Sequence, residues 1–313
     1  MALQIHDAEL SMLLHRRPLL RHSTSEKSQQ QSLLSFEANT ASKWVSAHRQ
    51  HVEHDTLAPD SNNHFYQDNT IRNNLFRAYA TLEGLGAMMM DDRLHNRLDQ
   101  AAFSAHQQCL LDWYKLHASS ILDQHSDYLC LRGLWHGTYL YLLADVDQLE
   151  VAIGRDGPEA ARDATAAVTK WAATTAALRS MLHVLSAQRY FQSVPFKNIP
   201  AIHGPRILFT AAVAWYCFTK YSHVRDMSVD MSEASLPELK AFGSNIDHFR
   251  HVLGTSMSPH ATPATQTMTL CDFGTLLRRM PEWGLAGKFA AIVARLVDGD
   301  ASDCRPSTPE LHD

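Results

Sequence analysis

The run YLCLRGLWHGTYLYLLA, Tyr128 to Ala144, constrains the fold more than any other stretch. Its apolar residues fall on every side of a helix instead of along one stripe, so a helix made of them must be covered all round. A bilayer would need about 18 or more unbroken apolar residues. Arg132 and His136 interrupt this run, and none of the required length occurs elsewhere. The expectation is therefore a helix at the centre of a helical bundle, running from about Asp127 to Ile153. The N-terminus, MALQIHDAELSMLLHRR, lacks the basic-then-apolar order of a secretory signal, which predicts a soluble intracellular protein.

The flanking sequence has the period needed to cover such a helix. Leu75, Ala78, Leu82 and Leu85 repeat at three and four, and Leu94, Leu98, Ala101, Ala105, Cys109, Trp113 and Leu116 continue the period after Asp91 and Asp92. An alanine-rich helix is predicted over Ala160 to Tyr190, with Ala164, Val168, Trp171, Leu178, Leu182 and Leu185 on one face. The three prolines of SVPFKNIPAIHGP exclude helix over Ser193 to Pro205, and Pro205 opens PRILFTAAVAWYCFTKY. Further helices are predicted near Leu236 to Leu253, Met268 to Met280 and Ala286 to Val297.

Residues 1–70 read as a polar, partly disordered arm with short helices around Leu10 to Leu20 and Ser42 to His51, and residues 299–313 as a disordered tail. With 13 glycines and 12 prolines in 313 residues, the balance favours helix over turn-rich sheet. The predicted fold is all-α: one domain over residues 71–298, an irregular array of about eight to ten helices without significant sheet.

The stretch AIGRDGPE, Ala152 to Glu159, has two readings, an anion cradle at a helix N-terminus or a joint between two helices. The joint accounts for more residues. Gly154 can stop one helix, and Asp156, Pro158 and Glu159 can start the next as a D-x-x-E capping box. The carboxylates would repel a phosphate there, and Arg155 is expected to pair with Asp147 or Glu150.

Charge excludes one class of function. The 28 basic and 33 acidic residues give a net charge of −5, so no global positive field holds nucleic acid. Five scattered cysteines imply no disulfide framework and suit buried thiols in a reducing compartment. Nineteen histidines invite a metal search, yet His48, His51 and His54, like His248 and His251, lack the ligand set of a closed zinc site and read as solvated. His136 and His203, beside aromatic and proline residues, are expected to be buried and hydrogen-bonded in structural roles.

Asp91 and Asp92 in MMMDDRLH are similar to the aspartate-rich motif of terpene cyclases. They support an alternative function, an all-helical magnesium-dependent isoprenoid enzyme. The second ligand cluster such an enzyme needs is missing, and helix N-capping by the two aspartates is the simpler reading. Asp272, Phe273 and Gly274 spell the kinase metal-binding tripeptide without its companion motifs. Trp135, Trp171, Trp215 and Trp283 fall on four predicted helices or helix ends, as core aromatics do, with a small-molecule pocket as the sharper alternative.

A more specific likeness lies in the order of short words. Leu134-Trp135-His136 is followed by Ala144-Asp145-Val146-Asp147-Gln148-Leu149-Glu150, then Gly154-Arg155-Asp156-Gly157, Trp171-Ala172 and His183. Later come Pro200-Ala201-Ile202-His203-Gly204-Pro205-Arg206, Trp215-Tyr216-Cys217, and Leu276-Leu277-Arg278 through Trp283-Gly284 to Lys288-Phe289-Ala290. This order resembles the fungal-specific transcription factor regulatory domain, a relative of the middle homology region found in fungal zinc-finger transcription factors. The resemblance covers residues 127–297 and extends more weakly over 73–126.

It implies a helical regulatory domain in the nucleus that does not itself touch DNA and has no catalytic residue, so not an enzyme. Partners would be transcription machinery or regulatory proteins, with a small-molecule effector as a further ligand and no membrane. DNA-binding and zinc would belong to a finger module, and no finger or Cys-x2-Cys pair stands in this sequence. No cofactor is expected in this chain. The positions marked by the resemblance, structural or regulatory, are Trp135, His136, Asp145, Glu150, Gly154, Arg155, Asp156, Trp171, His183, His203, Pro205, Arg206, Trp215 and Trp283.

Overall fold

The computed structural model describes residues 2–20, 64–122, 127, 129–195, 201–222, 236–238 and 263–303. They form ten helices, and no strand occurs among the described residues, so the fold is all-α as predicted. The chain divides into two compact units, Met1–Trp113 and Tyr114–Asp313. The His48, His51 and His54 set, His248 and His251, Cys304 and the predicted helix over Ser42 to His51 lie outside the described residues.

In the first unit, α1 (Ala2–Leu13) packs on α2 (His64–Leu94). Leu75, Ala78, Leu82 and Leu85, the predicted stripe, are buried along α2 together with Met89. α2 runs through Asp91 and Asp92 and ends beyond them, so these aspartates do not cap a helix start. The true boundary is a Schellman turn: Asn96 sits at φ 54° and the Arg97 amide donates to the Asp92 carbonyl at 2.7 Å. Asp99 then caps α3 (Gln100–Ile121), accepting from the Ala102 amide at 2.8 Å. Of the predicted stripe Leu94, Leu98, Ala101, Ala105, Cys109, Trp113 and Leu116 only Trp113 is buried, because the helix phase restarts at this turn and α3 buries His106, Leu110, Leu111 and Tyr114 instead. The Trp113 indole N–H donates to the Ala78 carbonyl at 3.1 Å, which fixes α3 against α2.

The second unit is built around α8 (His203–Tyr221), in which every residue from His203 to Phe218 is buried. Packed on it are α4 (Leu131–Leu143), α5 (Val146–Ala152), α6 (Pro158–Ala172), α7 (Thr175–Ser193), α9 (Pro263–Arg278) and α10 (Gly284–Asp303). The central position expected for the helix of Asp127 to Ile153 thus belongs to α8, with α4 beside it and almost equally buried. That expected helix breaks at Ala144, where Asp145 accepts from the Gln148 amide and starts α5. The alanine-rich helix breaks likewise at Thr174, whose hydroxyl accepts from the Ala177 amide and starts α7. In both places a side-chain cap replaces the helical bond, so neither glycine nor proline is needed.

Close approach is bought by small residues. A Cβ on Gly137 of α4 would stand 2.6 Å from Cγ1 of Ile207 on α8, and one on Gly133 would stand 2.8 Å from the Phe191 ring on α7. The predicted helices over Met268 to Met280 and Ala286 to Val297 correspond to α9 and α10, the latter reaching Asp303. Among the described residues no helix is long and apolar enough to cross a membrane. Cys130 and Cys217 are buried thiols, whereas Cys109 and Cys271 sit on exposed helix faces, against the expectation for them.

Candidate functional site

The polar residues that sit inside the apolar core of the second unit form its most unusual chemistry. On α4, His136 and Tyr139 lie one helical turn apart, and on α7 Arg179 and His183 do so too. α4 packs on α7, which brings the two pairs together. The His136 and His183 Nδ1 atoms approach to 3.1 Å, and the Tyr139 ring stacks on His183 at 4.2 Å and 11°. Trp135 covers both imidazoles from its own side, 5.2 Å and 5.5 Å between centroids, with Tyr114 beyond it at 4.7 Å.

A carboxylate completes the cluster. Glu238, wholly buried, accepts from Arg179 through two parallel bonds, Nε to Oε1 at 2.7 Å and Nη2 to Oε2 at 3.0 Å. His183 Nε2 lies 3.9 Å from the same Oε1. These distances order the protons. With its Nε2–H facing the carboxylate, His183 accepts at Nδ1 from the Nδ1–H of His136, a tautomer assignment set by the network.

Burial drives both imidazole pKa values below 6.5, assisted for His136 by His183 and Arg132, and opposed for His183 by Glu238. Burial would raise Glu238, but hydrogen bonding from His183 and Arg179 and the Arg179 charge bring it down to about 2. The cluster is therefore an ion pair beside two neutral imidazoles. Burial, and then the Glu238 charge, push the Tyr139 phenol far upward, so it stays protonated.

A second polar knot lies at the start of α4. Asp127 accepts from the Leu131 amide at 2.6 Å, the Arg132 amide at 3.1 Å and the Tyr190 hydroxyl at 2.7 Å. Burial nevertheless pushes its carboxyl up to about 6. Cys130, at φ 53°, offers its carbonyl to His203 Nε2 at 3.3 Å, which joins the first turns of α4 and α8.

Stability should therefore depend on pH with opposing signs. The two histidines have depressed folded values, so their contribution is complete above 6.5 and is lost as pH falls below it. Asp127 has a raised value, so its contribution is complete below 3.8 and is lost, by roughly 3 kcal/mol, as pH rises through about 6. Two histidines outweigh one carboxyl, and urea midpoints should fall between about pH 7 and 5. The fall should be steeper in Asp127→Asn, which lacks the compensating carboxyl. A wild-type midpoint that rises over this interval would refute the assignment.

The marked positions separate into three groups. Trp135, His136 and His183 meet in the cluster just described, and the expected hydrogen-bonded burial of His136 and His203 is observed. Asp145, Glu150, Gly154, Arg155 and Asp156 form the joint. Gly154, at φ 101°, and Arg155 close α5 with a Schellman pair, their amides donating to Val151 at 2.9 Å and Glu150 at 3.2 Å. Arg155 then reaches Asp147 at 2.7 Å, Asp156 at 3.0 Å and Glu150 at 3.4 Å, the pairing expected of it. Asp156 does not cap α6, because Arg155 holds its carboxylate. Gly157, at φ 96°, takes the N-cap position with Pro158 next.

The third group holds the helices of the second unit together. Trp171 donates to the Leu143 carbonyl and Trp215 to that of Gln266, each at 3.1 Å. Pro205 sits in the first turn of α8, and Arg206, buried one residue on, lies 5.5 Å over the Tyr141 ring. Trp283 is partly exposed in the turn between α9 and α10. Asp272 accepts from Gln188 at 3.2 Å, and Phe273 is core.

In the first unit, Arg97 bridges the two candidate metal-binding aspartates, at 2.6 Å from Asp91 and 3.1 Å from Asp92, and His106 takes the other Asp92 oxygen at 2.8 Å. Their negative charge is already met by a guanidinium. Among the described residues no group of three His, Cys, Asp or Glu side chains is placed to hold a metal ion. No family model, curated protein or solved structure matches the chain.

Proposed function

We propose that the chain is the regulatory, non-DNA-contacting domain of a fungal transcription factor. It acts in the nucleus through regulatory proteins or a small effector, without catalytic residues. The observation that carries this reading is the meeting of Trp135 and His136, from one word of the resembled pattern, with His183, from another, in one wholly buried cluster. A core that spends such residues on mutual polar contacts fixes one helix arrangement against others, which suits a domain whose output is a conformation. The acidic balance of the sequence also suits a domain that leaves DNA contact to another module.

Two measurements test the proposal together. Purified chain should select no sequence from a random DNA pool even at low salt, where electrostatic affinity is strongest. Joined to an unrelated DNA-binding module in a fungal nucleus, it should change expression of a reporter carrying that module's site. Tight sequence-specific binding by the chain alone, or a fusion that leaves the reporter at the level of the bare module, would overturn it.

A further inference from the structure

The pair formed by Arg179 and Glu238 has the form of a receptor with its ligand in place. The carboxylate comes from a point 59 residues along the chain and enters with Leu236, itself 1% exposed, so an acid group arrives attached to an apolar body. The cradle that receives it offers more than Glu238 uses. Arg179 gives a two-bond fork, and His183 stands behind it at 3.9 Å. Tyr139, stacked on that imidazole and wholly buried, has a hydroxyl that makes no hydrogen bond among the described residues. A buried donor left unused costs about 1–3 kcal/mol, and a buried ion pair is a weak source of stability compared with apolar packing. Glu238 is thus an imperfect occupant of a site rich in carboxylate donors.

We propose that Arg179, His183 and Tyr139 form a binding site for an organic acid with an apolar body, which Glu238 occupies in the unliganded chain and the effector acid displaces. This deepens the regulatory reading above, on which the effector's role rests. An acid seated closer to Tyr139 would gain a third hydrogen bond, and the segment carrying Leu236 and Glu238 would be released as the conformational output.

The test uses the full chain with benzoate and acetate at constant ionic strength, and chloride and benzenesulfonate as controls, read by calorimetry and thermal unfolding. Wild-type chain should bind benzoate, Glu238→Ala should bind it at least tenfold tighter and bind acetate as well, and Arg179→Met should bind neither. Tyr139→Phe should weaken benzoate several-fold while raising the unfolding temperature in its absence, since the unused buried hydroxyl is gone. Failure of wild type to bind benzoate, equal binding by Arg179→Met, or a Glu238→Ala chain that stays unfolded in acetate would each overturn the proposal. None of these binding results touches the reporter experiment, which judges the regulatory reading by itself.

Discussion

An Arg179→Ala chain should lose about 3–5 kcal/mol of stability, the usual cost of stranding one member of a buried ion pair. The carboxylate left behind, Glu238, is wholly buried and loses both bonds of the Arg179 fork. It must either be protonated or drag its segment outward. Replacing both partners by apolar groups of similar size, as in Arg179→Met with Glu238→Leu, should recover most of that loss, since no charge then remains in the core. A double-mutant cycle in urea measures the coupling directly. If the double variant is as unstable as the sum of the single ones, the pair is not the reason for the loss.

The second large effect belongs to the contact between α4 and α8. Gly137 leaves no room for a side chain, with Cγ1, Cδ1 and Cγ2 of Ile207 at 2.6, 3.1 and 3.2 Å from an added Cβ. Ile207 is itself fully buried and has no open direction to move in. Gly137→Ala gains up to about 1 kcal/mol of helix propensity but loses about 1–3 kcal/mol to overpacking. Gly137→Val, with two further methyl groups and a stiffer side chain, should lose more than about 3 kcal/mol and populate an expanded state. Because the cause is one neighbour, Gly137→Ala with Ile207→Ala should be less destabilised than the two single changes summed. Additivity there would place the strain elsewhere.

Much of the fold was legible because periodicity is a local property. The stripe Leu75, Ala78, Leu82 and Leu85 is buried as its spacing requires. The two missed breaks, before Asp145 and at Thr174, carried a signal too: each is an N-cap residue in mid-run, overlooked because neighbouring residues were good helix formers. Arg155 could be paired correctly because its partners lie within eight residues, around one turn. The polar cluster was only half visible. His136 and His183 stand out as polar residues in apolar helices, but Arg179 reads as an ordinary surface cation, and nothing local joins it to Glu238. Tyr139, Asp127 and Tyr190 were missed for the same reason, since their roles exist only once α4 and α7 meet.

The burial of α8 also has a consequence for how the chain is made. Synthesis proceeds from the N-terminus, so α8 leaves the ribosome before the residues of α9 and α10 that cover it. Until Phe289 arrives to stack on Phe209 at 4.2 Å, one side of an apolar helix is left open to any other sticky surface. Nascent chains that stall or terminate between Tyr221 and Pro263 would carry that open side permanently. Their fate is capture by chaperones or aggregation, so the last two helices act as the closing step of biosynthesis.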